Sequence, residues 1–175
     1  MIKQFVPQEY CLKCQGCCRF KEDNSVWSPC LLDEEILELI DKEGIPAASM
    51  TVDRRLQPIA NPNGEGFICP FLGVQDNKCK IYQTRPFECQ LYPFLINLRK
   101  GKVLLTVDLN CPYAYEKINT QEVKDYIVYL TKHLNSPESI EMFKDNPQII
   151  QAYEEVREVA ELNLKKGTSS AGTPL

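Results

Sequence analysis

Residues 11–18 read CLKCQGCC, four cysteines in eight positions with the last two adjacent. A disulfide knot, a zinc site and an iron-sulfur cradle would each organise the surrounding chain differently, so the use of these thiols decides the fold. The chain carries nine cysteines. An odd number strands one thiol in an all-disulfide framework, and two bonds within eight residues would crowd the backbone. The N-terminus, MIKQFVPQEYC, places a lysine, a proline and a glutamate where a secretory signal needs an unbroken apolar run. The longest apolar stretches, KVLLTVDL and DYIVYLTKHL, fall well short of the roughly 20 apolar residues that span a bilayer. These features predict a cytoplasmic chain with no membrane association, and a reducing cytosol favours metal over disulfide.

Within the opening stretch, Cys11, Cys14 and Cys17 follow a C-x2-C-x2-C rhythm. A tight loop of this kind turns thiolates inward while its amides approach the metal-bound sulfurs, and it matches the start of the bacterial ferredoxin run, whose later cysteine precedes a proline. Cys69-Pro70 and Cys111-Pro112 have that local form. Gly16 suits a left-handed residue or a close backbone approach. Zinc also takes four thiolates, but usually from two separated pairs. Here Cys69, Cys79, Cys89 and Cys111 are dispersed, so spacing favours iron-sulfur and leaves zinc as the alternative. Adjacent Cys17 and Cys18 would point to opposite sides of an extended segment and could serve one site or two. Cys30 stands apart before a predicted helix and reads as a packing thiol. The one histidine, His133, falls near a helix C-terminus, where it complements the helix dipole.

The rest of the chain reads as an α+β fold: a loop-rich cysteine and metal core with a small antiparallel hairpin, packed by three to four helices. LLDEEILELIDKEG predicts a helix over 34–43, with Asp33 as cap and Gly44 as stop. YPFLINLRKGKVLLTVDL predicts the hairpin, with Val103, Leu105, Val107 and Leu109 alternating. NTQEVKDYIVYLTKHL predicts a helix capped by Thr120, with Val123, Ile127, Leu130 and Leu134 on one face. SPESIEMFKD repeats the cap-then-proline pattern. A further helix is expected from Asn146-Pro147, carrying Ile149, Tyr153, Val156 and Ala160. The expected organisation is a cysteine-cluster part at 1–115, a helical extension packed on it at 116–166, and a disordered tail at 167–175.

Laid end to end, CLKCQGCC, CPFL, CKIYQTRPFEC and LYPF resemble the CxxCxxCC family, also called YkgJ-type cysteine-cluster proteins, a zinc- or iron-chelating domain. The resemblance covers residues 11–115. Carried over by position, it implies metal ligands at Cys11, Cys14, Cys17, Cys18, Cys69, Cys79 and Cys89, with Cys111 at a less uniform position. Arg85 and Pro86 match the family's Arg-Pro step. Arg85 could donate to a cluster sulfur or offset its charge, and Pro86 could start a turn that aims Cys89 inward. Tyr82, Tyr92 and Phe94 would shield the site from water.

The net charge of −4 and pI of 5.2 leave no basic excess for phosphates, so no nucleic-acid partner is expected. Three functions remain. The first is a [4Fe-4S]-type protein acting in redox chemistry, metal handling or protein modification. The second is a structural zinc module for protein interaction. The third follows from the resemblance, since some members are associated with flagellin lysine methylation: a lysine N-methylase using S-adenosylmethionine, acting on a protein substrate.

Overall fold

The computed structural model describes residues 2–14, 16–46 and 49–164; the expected tail at 167–175 lies outside them. The chain is α+β. Six helices, α1 (Gln8–Cys11), α2 (Asp33–Glu43), α3 (Phe87–Leu91), α4 (Pro112–Lys117), α5 (Gln121–Leu134) and α6 (Pro137–Asp145), accompany two three-stranded sheets. The first sheet, in order β1-β3-β2, uses two-residue strands at Arg19–Phe20, Ile59–Ala60 (β2) and Phe67–Ile68 (β3). The second pairs β4 (Phe94–Arg99), β5 (Lys102–Val107) and β6 (Arg157–Glu161), all antiparallel. No helix among the described residues is long and apolar enough to cross a membrane.

Local chemistry accounts for the main elements. Gly44 ends α2 in the left-handed conformation at φ 63°, which costs a glycine little. The structure moves the cap of α2 from Asp33 to Leu32, whose N–H donates to the Glu35 carboxylate at 2.9 Å. Thr120 Oγ1 accepts the Val123 N–H at 3.4 Å to start α5, and Ser136 accepts from Ser139 to start α6. The hairpin turns at Lys100-Gly101, both with positive φ. Its strands are buried on both faces, which matches their near-continuous apolar sequence.

The C-terminal segment departs from the expected helix. Pro147–Ile149 forms one 3-10 turn, Gln151 bridges to the hairpin, and after a bend at Glu154-Glu155 the chain forms the strand Arg157–Glu161. Gln151 pairs with β4, its carbonyl accepting Leu98 N–H at 2.6 Å, and β6 pairs with β5. The reason is hydrogen-bond accounting. Asn97 is fully buried, and its side chain donates to Tyr153 O at 2.8 Å and accepts Tyr153 N–H at 3.1 Å. A helix there would consume those backbone groups internally and leave the amide and both sheet edges unpaired. Asn97→Leu should therefore destabilise the protein by about 2 kcal/mol, because buried Tyr153 backbone groups lose their partners. A denaturant midpoint equal to that of the unsubstituted protein would contradict this.

Two cores result. The main one joins Phe5, Phe94, Leu105, Val123, Leu130 and Leu162, so it draws on both sides of residue 115. Phe5 sits among Phe94, Tyr113 and Tyr126 at ring distances of 4.9–5.4 Å, which anchors the N-terminal segment. The second core is small: Leu31, Leu39, Leu56, Phe71 and Ile81.

Candidate metal centre

Antiparallel pairing gathers the distant cysteines. Cys18 precedes β1 and Cys69 follows β3, and since Arg19 pairs with Ile68 the two meet at one end of the sheet, Cys69 N–H donating to Cys18 O at 3.0 Å. The chain then doubles back, with Leu72 N–H on Cys69 O at 3.0 Å and Leu72 bridged to Cys79. The hairpin does the same for the later pair. Phe94 pairs with Val107, so α3, which carries Cys89, and Cys111, the cap of α4, stand at the same open end. Phe87 and Leu91 of α3 enter the main core. Cys89, two residues from each, faces elsewhere.

The result is one cavity of about 700 Å³ whose wall includes Cys11, Cys14, Cys17 and Cys18 from the first stretch and Cys69, Cys79, Cys89 and Cys111 from the later ones. All are free thiols. Cys30 is not on this wall; it is buried and its sulfur donates to Asp53 O at 3.7 Å. His133 lies at the end of α5, stacked on Tyr129. Tyr82 and Tyr92 line the cavity, whereas Phe94 is fully buried in the main core and does not. Among the described residues, no three His, Cys, Asp or Glu side chains stand close enough to hold one metal ion. The thiols surround a space rather than a point.

The adjacent pair does not diverge. Residues 17 and 18 form a turn, not an extended segment, and the Cys17 thiol donates to Cys18. That bond, with burial, pushes Cys17 well up, while the same bond, helped by Arg19 and Arg85, draws Cys18 down against the effect of burial. Gly16 is not left-handed; its role is space, since a Cβ there would lie 3.3 Å from Cys14 Sγ.

Burial raises most of the other thiols, Cys11 to about 11 and Cys69 to about 12, with neighbouring thiols adding to the effect. Cys89 is raised well above its ordinary value by burial, then by Cys69, Cys18 and Cys79. Such thiols are neutral when nothing positive faces them.

Arg85 on the wall lowers Cys11, Cys18 and Cys79, and Arg19, also on the wall, acts ahead of it on Cys18. The Arg85 guanidinium lies 4.4 Å from the Tyr82 ring centroid and donates to Gln4 Oε1, yet its buried Nε has no partner among the described residues. A buried donor left open beside thiols fits a bound anionic sulfur group. Pro86 is the cap residue of α3, which carries Cys89. Eight thiols and one open cationic donor on a shared cavity thus fit a sulfur-ligated metal group.

Several supporting residues carry no metal signature in sequence. Asn77, at φ 56°, donates to Leu12 O at 3.1 Å and accepts from Arg19 at 2.7 Å, tying the first cysteine stretch to the 69–79 loop. An asparagine in the turn-forming stretch Gln75-Asp76-Asn77 is all that could have flagged it. Tyr92 OH donates to Asp108 at 2.8 Å and braces the hairpin's open end. Glu88, pushed up to about 7 by burial, accepts Cys30 N–H at 2.7 Å and reaches the cavity wall. A glutamate flanked by Phe87 and Cys89 gave only a faint hint.

Comparison with known proteins agrees with this geometry. Residues 10–166 match the model of the CxxCxxCC family, described as "Putative zinc- or iron-chelating domain". The chain is also 30% identical over 104 residues to a protein of Methanocaldococcus jannaschii called uncharacterized protein MJ0661. That alignment covers 57% of this chain and 52% of the relative, so the chain spans about half of the relative's length. No solved structure matches. The family match extends beyond residue 115 to include the α5, α6 and β6 elements that complete the main core, and the chain belongs to the CxxCxxCC family of zinc- or iron-chelating domains.

Proposed function

We propose that the chain is a cytoplasmic iron-sulfur protein, with a [4Fe-4S]-type group held by the cavity thiols and used in redox chemistry, metal handling or modification of a protein. One observation carries the choice of iron-sulfur over a single zinc ion. The thiols line a cavity of about 700 Å³, and no three of the described ligand-type side chains approach one point. A mononuclear zinc site needs sulfurs about 2.3 Å from a common centre. A cluster brings its own inorganic sulfide and suits a wider cage.

The residues have separable tasks in this reading. The cavity thiols bind, giving up their protons to solvent as they do. Arg85 offsets the thiolate charge, and Tyr82 and Tyr92 limit water access. Bound iron-sulfur groups supply one-electron chemistry. A protein partner or substrate would approach the site over the turn at residues 16–17, which is exposed. Anaerobic purification followed by iron and acid-labile sulfide analysis tests the proposal. Brown protein with equal iron and sulfide is expected; colourless protein carrying zinc and no sulfide overturns it in favour of the structural zinc module.

A further inference from the structure

The eight thiols do not line the cavity evenly. Cys11 and Cys111 pack against the main core, along with Tyr10, Tyr92 and Tyr113. Cys14 joins them through the turn that follows α1, its N–H donating to Tyr10 O and Cys11 O at 3.1 Å each. Tyr10 stacks edge-on against Tyr113 of α4 at 5.1 Å, which brings α1 against the helix that Cys111 caps. By contrast, Cys69 and Cys79 pack against the second core. Cys18 is bonded through its backbone to Cys69, and Cys79 is bridged to the turn after Cys69. Cys89 feels Cys69, Cys18 and Cys79 as its nearest thiols, whereas Cys111 feels Cys14. Cys17 and Cys18 meet at the junction, where Cys17 faces Cys89 and then Cys11, and Cys11 faces Cys111 and Cys14 ahead of Cys18.

Building on the metal-binding reading above, we propose that the cavity forms two adjacent four-thiolate centres, Cys11, Cys14, Cys17 and Cys111 holding one and Cys18, Cys69, Cys79 and Cys89 the other. The first rests on the main core, and Cys69 and Cys79 of the second rest on the small core, with Cys89 brought to them by α3; the turn at Cys17-Cys18 joins the two.

Metal and sulfide content per chain tests the partition, with electron paramagnetic resonance of the reduced protein as a second readout. Two pairs of substitutions are compared, Cys14→Ala with Cys111→Ala and Cys69→Ala with Cys89→Ala, each in the full chain after anaerobic reconstitution with iron and sulfide. Each pair should retain half of the wild-type metal, the four substitutions together should retain none, and coupling between two paramagnets should vanish in either pair. Cys30→Ser should keep the full content. Where a double variant loses its far-ultraviolet circular dichroism, the single variants Cys14→Ala and Cys79→Ala repeat the comparison. Complete loss in both pairs with a loaded wild type would mean one shared centre, and unchanged content would mean unused thiols; either overturns the partition alone. A wild type that takes up no metal under these conditions overturns the metal-binding reading as well.

Discussion

Stripping metal from the loaded protein is expected to open residues 11–20 and 67–82 while leaving the hairpin and α5 protected. Amide exchange in the opened segments should accelerate about a hundredfold, corresponding to about 3 kcal/mol of local stability. The difference follows from what holds each part. The hairpin and α5 share the main core, where Phe94, Leu105, Val107, Val123, Leu130 and Leu134 are essentially sealed from solvent. The cysteine-bearing part has strands of two residues and a core of five buried side chains, Leu31, Leu39, Leu56, Phe71 and Ile81. So little apolar area ordinarily needs a metal or disulfide as a staple, and bond formation to thiolates is then part of the folding free energy. Exchange monitored by mass spectrometry, before and after chelation under anaerobic conditions, reads the two regions separately. Equal acceleration everywhere would mean that the metal supports the whole fold; none anywhere would mean that the cavity is held by packing alone.

The parts of this fold legible in sequence are those set by local chemistry. Gly44 and Thr120 bound their helices because a left-handed stop and a hydroxyl cap act within one turn. Lys100-Gly101 marks the hairpin for the same reason. The strand at Arg157–Glu161 was not legible, since Ile149, Tyr153, Val156 and Ala160 have helical spacing and only the open edge of β5 and the buried Asn97 amide decide otherwise. Those are tertiary demands, and they override propensity. The eight candidate cysteines were legible as residues, and the structure lines one cavity with all of them. Their grouping was not legible. It depends on β1 pairing with β3 and β4 with β5, which brings Cys18 to Cys69 and sets α3, with Cys89, and the start of α4, with Cys111, at one end of the hairpin. Adjacent Cys17 and Cys18 were expected to diverge, but a turn at that point lets their thiols meet.

Metal-free and metal-loaded protein should respond to pH with opposite signs. In the metal-free fold, burial holds Cys11 at about 11 and Cys69 at about 12, against about 8.5 for a free thiol. Between pH 8.5 and 11 the unfolded chain releases these protons while the folded chain keeps them. The unfolded state then binds fewer protons, so stability falls as pH rises. Cys69 contributes up to about 1.4 kcal/mol per pH unit in that window, and Cys11, with a wetter side chain, contributes less. Loading reverses the slope below that window. Thiolates bound to metal must accept protons before they can leave, so each thiol proton displaced tightens binding about tenfold per pH unit while the free thiol remains protonated. Cys18, already drawn down by its bond from Cys17, adds least to this dependence. Thermal unfolding of both forms from pH 6 to 10 should therefore give curves that separate as pH rises, the loaded form gaining through neutrality and the metal-free form weakening above pH 8.5. Parallel curves would mean that the cavity thiols are not the groups that exchange protons for metal.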